Sequence, residues 1–327
     1  MLKFLAKGLL RDRSRSFFPV LIISVGVMLT VVLQSWLQGF AMMTIKENAR
    51  FRTGHLKIVT RAYEQMMDQN PLDLSLLGTD ELMQDLNREY PDLTWLPRIH
   101  FGGLLDIPDE KGETKAQGAV IGMAVDLLSN QEEIKLMNLK EAVLSGRLPQ
   151  NKNEILISQE VAEKLGINLQ DTVTIISSTM LGSLTMYNFQ IAGLVRFGVQ
   201  AMDRGAVIID IYAAQQMLDM ENAASEILGF MPVYREADTY QIAADFNEKF
   251  NANEDEYAPV MQPLREQENL DVLLSMMDER MGMMIFMFVF IMSLVLWNAG
   301  LMNGIRRYGE IGVRLAMGEN KLHIYGM

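Results

Sequence analysis

The chain has 327 residues, with 29 Lys and Arg against 41 Asp and Glu for a net charge of −12, 26 methionines and no cysteine. Without cysteine there are no disulfides, thiolate metal sites or cysteine nucleophiles. The acidic balance argues against nucleic acid as a partner, because binding a phosphate backbone needs cationic surface.

The first fifteen residues predict a cytoplasmic amphipathic helix. Leu2, Leu5 and Leu9 share one face, and Lys3, Lys7 and Arg11 step by four along another, a pattern suited to anionic lipid headgroups. Residues 16–45 carry no charge. A membrane-crossing helix needs roughly 20 apolar residues, so this window predicts a first transmembrane helix. A cleaved signal peptide, and with it a soluble periplasmic protein, is the weaker reading: the apolar run is too long for such a leader and no clean small-residue cleavage site follows. Within this window Thr30, Gln34 and Gln38 fall on one helical face. Polar groups at that depth avoid lipid, so they pack against another helix or line a substrate path.

Residues 46–265 predict a mixed α+β domain. Strand-like alternation marks 53–60, 95–107, 118–123, 171–177, 186–197 and 205–210. Helical patterns mark 79–90, with Thr79 as N-cap, 158–167, with Ser158 as cap and Gly166 as stop, the stretch IYAAQQML, and 239–250. Loops are expected at 61–78, 108–117 and 149–154. Leu270, Leu274, Met277, Met281 and Met284 then step by four and three without a proline. That stripe predicts a stalk helix over 266–280 running straight into a second uncharged window at 281–305. Gly300 and Gly304 there permit close helix approach. The many methionines are read as flexible apolar packing rather than a copper site.

Charge placement orients the two spans. Residues 1–15 carry five cations and one anion, and residues 306–327 carry four cations and two anions. The intervening 46–280 therefore hold a net −18. Positive flanks stay in the cytoplasm, which puts both termini inside and the central domain outside. No P-loop, HExxH, EF-hand or GxSxG pattern occurs, and His55, His100 and His323 lack ligand spacing. Nothing in the sequence points to catalysis or a metal site.

The stretch RRYGEIGVRLAMGENKLHI at 306–324 resembles the cytoplasmic segment of ABC transporter permeases of the macrolide-exporter (MacB), lipoprotein-releasing (LolC/LolE) and FtsX-like type. Arg307, Glu310, Ile311, Gly312, Arg314, Ala316 and Gly318 carry the pattern, and Glu310 and Arg314 stand one helical turn apart, able to pair. The segment 144–175, with Gly146, Arg147, Glu154, Gly166 and Asp171, is similar to the family's periplasmic signature, and 189–218 to the passage that follows it. The resemblance implies membrane helices flanking an α+β MacB-type periplasmic core domain, in the bacterial inner membrane. It implies a non-catalytic permease subunit, with Arg307, Glu310, Ile311, Gly312, Arg314 and Gly318 docking on a separate ABC ATPase chain. ATP and magnesium would sit on that ATPase, and this chain would carry no cofactor. Further implied partners are a second permease copy or paralogue, membrane lipids and a lipoprotein substrate. The family has four spans, so a third and fourth are expected either as a continuation beyond residue 327 or elsewhere. The alternatives are an FtsX-like mechanical regulator or a two-span sensor.

Overall fold

A computed structural model describes residues 13–109, 112–250, 255–306 and 308–320. The chain divides into two compact units, residues 46–270 and residues 1–45 with 271–327. The expected amphipathic helix at 1–15 falls almost wholly outside the described residues.

The second of these units holds two long apolar helices, Arg13–Asn48 and Leu270–Arg306, followed by a short helix, Tyr308–Ala316. Both long helices have the length and composition to cross a membrane. They touch closely at Gly26, where an added Cβ would stand 2.5 Å from the Met292 sulfur. Gly300, by contrast, faces open space. The small-residue contact therefore lies on the first helix, where the long Met292 side chain needs a neighbour without a Cβ.

Among the described residues the central unit contains twelve strands: β1 (Leu56–Thr60), β2 (Leu76–Leu77), β3 (Thr94–Pro108), β4 (Thr114–Val125), β5 (Val143–Gly146), β6 (Glu154–Ser158), β7 (Thr172–Ser178), β8 (Leu184–Val195), β9 (Ala206–Asp210), β10 (Ala223–Ala224), β11 (Glu226–Phe230) and β12 (Pro259–Pro263). β3 belongs to two sheets. Its first residues, 94–98, pair with β11, which continues through β1 to β12. Its later residues pair with β4 on one side and β7 on the other. The ladder then runs β4–β9–β6–β8–β7, so β3, β4, β9, β6, β8 and β7 close into a ring. Closure removes the open sheet edges that invite aggregation.

Period-two alternation sorts the side chains between the ring's two faces. Ile99, Phe101 and Leu105 of β3, Ile155 and Ile157 of β6, and Val207 and Ile209 of β9 share one buried cluster. The residues between them, Leu156 and Ile208, join a second cluster with Phe51, Met123, Ile134 and Leu139, beneath the short helices Gln131–Leu136 and Leu139–Ala142. A third cluster packs helices Thr79–Glu89 and Glu236–Phe250 on the β1–β11–β3 arm. Phe101 lies over Gly122, its cross-strand partner, and a Cβ there would meet the ring edge at 2.0 Å. Gly122→Ala is therefore expected to cost about 1–3 kcal/mol by displacing a buried ring, read as a lower thermal midpoint.

Several local expectations need correction. Thr79 is the first helical residue and not the cap. Gly78 takes the cap position in a left-handed conformation, and Asn222 Oδ1, from a distant loop, accepts from Asp80 N at 2.8 Å. The loop expected at 61–78 contains a helical turn, two 3₁₀ turns and β2. The stalk helix starts at Leu270, because 264–269 form a 3₁₀ segment. Ser158 does cap its helix, accepting from Val161 N, and Gly166 ends it.

Candidate functional site

The polar face of the first long helix is only partly enclosed. Thr30 Oγ1 donates back to Gly26 O at 2.9 Å, one turn earlier. Thr30 and Gln34 line a crevice of about 10 Å³ with Met281, Met284, Ile285 and Phe288. Gln38 is exposed and lies outside that crevice. The methionine stripe is visible here too: Leu274, Met277, Met281 and Met284 are half-buried, whereas Ser275, Met276, Glu279 and Arg280 are exposed.

At the other end of this unit, Ile311 is half-buried, and Gly312, Arg314 and Gly318 are exposed. Arg307 and the Glu310 side chain lie outside what is described. Arg314 meets Glu319 at 3.9 Å. Gly318 has φ +89°, and Gly318 N and Glu319 N bond back to Leu315 O and Arg314 O. Gly318 therefore terminates the helix in a left-handed cap that a side chain would strain. Gly312 has no such duty. An added Cβ would meet nothing within 4 Å, and Tyr308, Val313 and Met317 around it are exposed.

Within the central unit, the segment that follows the first long helix is held by a clamp. Residues Ala49–Thr53 form one π-helical turn. A helix end leaves carbonyls without partners, and burial makes them costly. Arg98 of β3 supplies the donors: its Nη1 donates to Phe51 O at 3.0 Å and its Nη2 to Arg50 O at 3.1 Å. The same guanidinium forks onto Glu133, Nε to Oε1 at 2.8 Å and Nη2 to Oε2 at 2.9 Å. Both side chains are fully buried. Arg50 in turn donates to Met137 O, so β3, the π turn and the layer of short helices are tied together. The sequence carried a signal for this: Arg98 is a lone charge in the otherwise apolar run WLPRIHF, and a buried charge must find partners.

A second buried charge cluster lies beside the clamp on the same sheet face. Glu226 of β11 accepts from Lys57 Nζ of β1 through Oε2 at 2.9 Å, and its Oε1 meets His100 Nε2 of β3 at 2.9 Å. Burial alone would raise the Glu226 carboxyl, but the flanking Lys57 and His100 hold it far below the usual carboxylate range.

The family-like residues of 144–175 form a turn. Gly146 has φ +83°, and a Cβ there would stand 2.3 Å from Ala192 O. Arg147 grips Glu154 with two bonds of 2.6 and 2.7 Å, and Gln150 N donates to the same carboxylate. The Arg147 bond, more than any opposing burial, pulls Glu154 down to about 2. Asp171 accepts from Asn168 N at 2.8 Å. These residues shape backbone.

His55 Nδ1 accepts from Met231 N at 2.9 Å, and burial lowers this imidazole from 6.5 to about 4. The folded state then binds a proton less readily than the unfolded state. Its contribution is complete above about pH 6.5 and is lost as pH falls towards about 4. His55→Asn keeps an acceptor for Met231 N but cannot titrate, so it should flatten the fall in melting temperature across that window. An unchanged slope would remove His55 as the cause. His100 is engaged with Glu226, and His323 is outside the described residues. Among the described residues no group of three His, Cys, Asp or Glu could hold a metal ion.

Residues 16–248 match the sequence profile of the family described as the MacB-like periplasmic core domain. Comparison with curated proteins gives no match. Among solved structures, the periplasmic region of MacB from Actinobacillus actinomycetemcomitans is similar at 12% identity and a TM-score of 0.45, covering 72% of this chain and 98% of that one. A domain of a putative permease protein from Porphyromonas gingivalis is similar at 10% identity and a TM-score of 0.38, covering 64% and 90%.

Proposed function

This chain belongs to the MacB-like periplasmic core domain family of ABC transporter permeases, and from that premise we propose that it is a membrane subunit moving its extracytoplasmic domain with energy from ATP hydrolysed on a partner chain. The domain sits outside the inner membrane and both termini inside, as the cationic flanks favour. The substrate is a lipoprotein released from the outer leaflet, and two permease chains, alike or paralogous, assemble with the ATPase.

The observation that carries this reading is the Arg98 clamp. A domain driven by its helices needs a stiff joint, because a flexible linker absorbs motion. Here one guanidinium bonds two carbonyls, Arg50 O and Phe51 O, of the π turn that continues the first apolar helix, and it ties them to β3 and Glu133. Displacing that turn would break the two charge-assisted bonds from Arg98 to Arg50 O and Phe51 O, so β3 moves with it. The exposed helix Tyr308–Ala316 supports the receiving role: a mid-helix glycine costs about 1 kcal/mol against alanine, and among the described residues nothing lies within 4 Å of where a Gly312 Cβ would stand.

The test is affinity purification of the full-length protein from membranes. An ABC ATPase should co-purify, and its ATP turnover should change in the reconstituted complex. Recovery of the protein with no ATPase, under conditions that keep its oligomer intact, would overturn the proposal.

A further inference from the structure

A cleft of about 240 Å³ opens on the sheet face beside the clamp, inside the central unit. Its floor is the Lys57–Glu226–His100 cluster, and Phe51, Met67, Met123, Met202 and Ile121 wall it. Two features are not explained by folding. First, Lys57 and Glu226 are each only 3% exposed, and a buried ion pair of that kind is a weak source of stability. Among the described residues, the Lys57 ammonium also meets the Met67 sulfur at 3.9 Å, and a thioether is a poor acceptor for a cation with three protons to donate. Second, Ile121 stands 60% exposed at this cleft, which Phe51, Met123 and Met202 line on apolar surface and Tyr63 and Asn70 on polar surface.

We propose that this cleft binds a small monocarboxylate with an apolar tail, its carboxylate on the Lys57 ammonium and its tail against Phe51, Met123, Met202 and Ile121. The charge sign follows from the lining. Both Glu226 oxygens are already occupied by Lys57 and His100, which leaves donors rather than acceptors for a ligand. Lys57 is the cation buried in the cleft, in a region whose net charge is −18. Such local focusing favours an anion despite the acidic surroundings. The size follows from the volume: at about 30 Å³ per water, the cleft holds about eight waters, the bulk of a short-chain acid. Methionine walls adapt to tails of different shape. This assignment stands apart from the ATPase reading, since it concerns the domain alone.

The experiment uses the full-length protein in lipid nanodiscs with 13C-methyl methionine, so that Met67, Met123 and Met202 report from the cleft. Sodium hexanoate should shift those three signals saturably. Hexanol and hexylamine, which share the tail but lack the anion, should bind at least about tenfold more weakly, the scale of one lost charged contact. Ile121→Trp, at an exposed position that leaves the core untouched, should fill the mouth and abolish the shifts. The double variant Lys57→Met with Glu226→Met removes both buried charges together and should weaken hexanoate about tenfold. Equal responses to hexanol, binding that survives Ile121→Trp, or shifts that follow the anionic-lipid content of the disc and ignore hexanoate would each overturn the proposal.

Discussion

Replacing Arg98 with Met should lower the domain's melting temperature by about 10 °C. The substitution strands the Glu133 carboxylate in a fully buried site and removes the donors to Arg50 O and Phe51 O. Breaking a buried pair from one side costs about 3–5 kcal/mol, and a domain of this size loses about 2–4 °C per kcal/mol. The double variant Arg98→Met with Glu133→Leu should recover much of that loss, because no uncompensated charge remains. It should not recover all of it, since two buried carbonyls still lack donors at about 1–3 kcal/mol. Scanning calorimetry of the two variants separates these contributions. Export separates structure from coupling. If the clamp carries motion from helix to sheet, the double variant folds, binds its ATPase and fails in substrate release. Normal release by a well-folded double variant would assign Arg98 to stability alone.

The second large effect is expected at Gly312. Gly312→Trp adds the largest side chain to an exposed helix face where a Cβ meets nothing within 4 Å among the described residues. Melting of the central domain should be unchanged, because 308–316 belongs to the other compact unit. ATPase co-purification and stimulated turnover should both be lost. Gly312→Ala should do less: it stabilises the helix by about 1 kcal/mol and intrudes by one methyl. Retention of full stimulated turnover in the Trp variant would remove this face as the docking surface. Gly318→Ala is the control for local folding. It strains the left-handed cap and should fray the helix end without placing bulk on that face.

Much of the architecture was legible because it rests on local patterns. Two uncharged windows become two helices long enough to span a membrane, the first extended by three residues at each end and the second by eleven residues before its window and one after it. Alternation placed β3, β4, β7, β8 and β9, and Ser158 and Gly166 bounded their helix as side-chain chemistry requires. The misses share a cause. The Thr79 cap failed because the capping oxygen comes from Asn222, a residue 143 positions away. The segment 61–78 reads as loop, yet Thr60 Oγ1 accepts from Tyr63 N and Thr79 is pinned to Asn222, which fold it into short turns. β11 and β12 are five residues each, too short for a period to declare itself.

Membership of the family, the two apolar helices and the α+β character of the domain between them follow from the sequence itself, because composition and short-range periodicity act within a few residues. Only the tertiary structure decided which charges matter. Arg98, Glu133, Lys57, His100 and Glu226 are spread over 170 positions of sequence, and all but Arg98 look like ordinary polar residues in their own segments. The closed ring of strands and its β1–β11 arm bring them to one sheet face away from water. There, desolvation makes every unpaired charge expensive and every paired one a constraint. Long-range pairing of this kind leaves no periodic trace in the chain, so the clamp and the cleft exist only once β3 is shared between its two sheets.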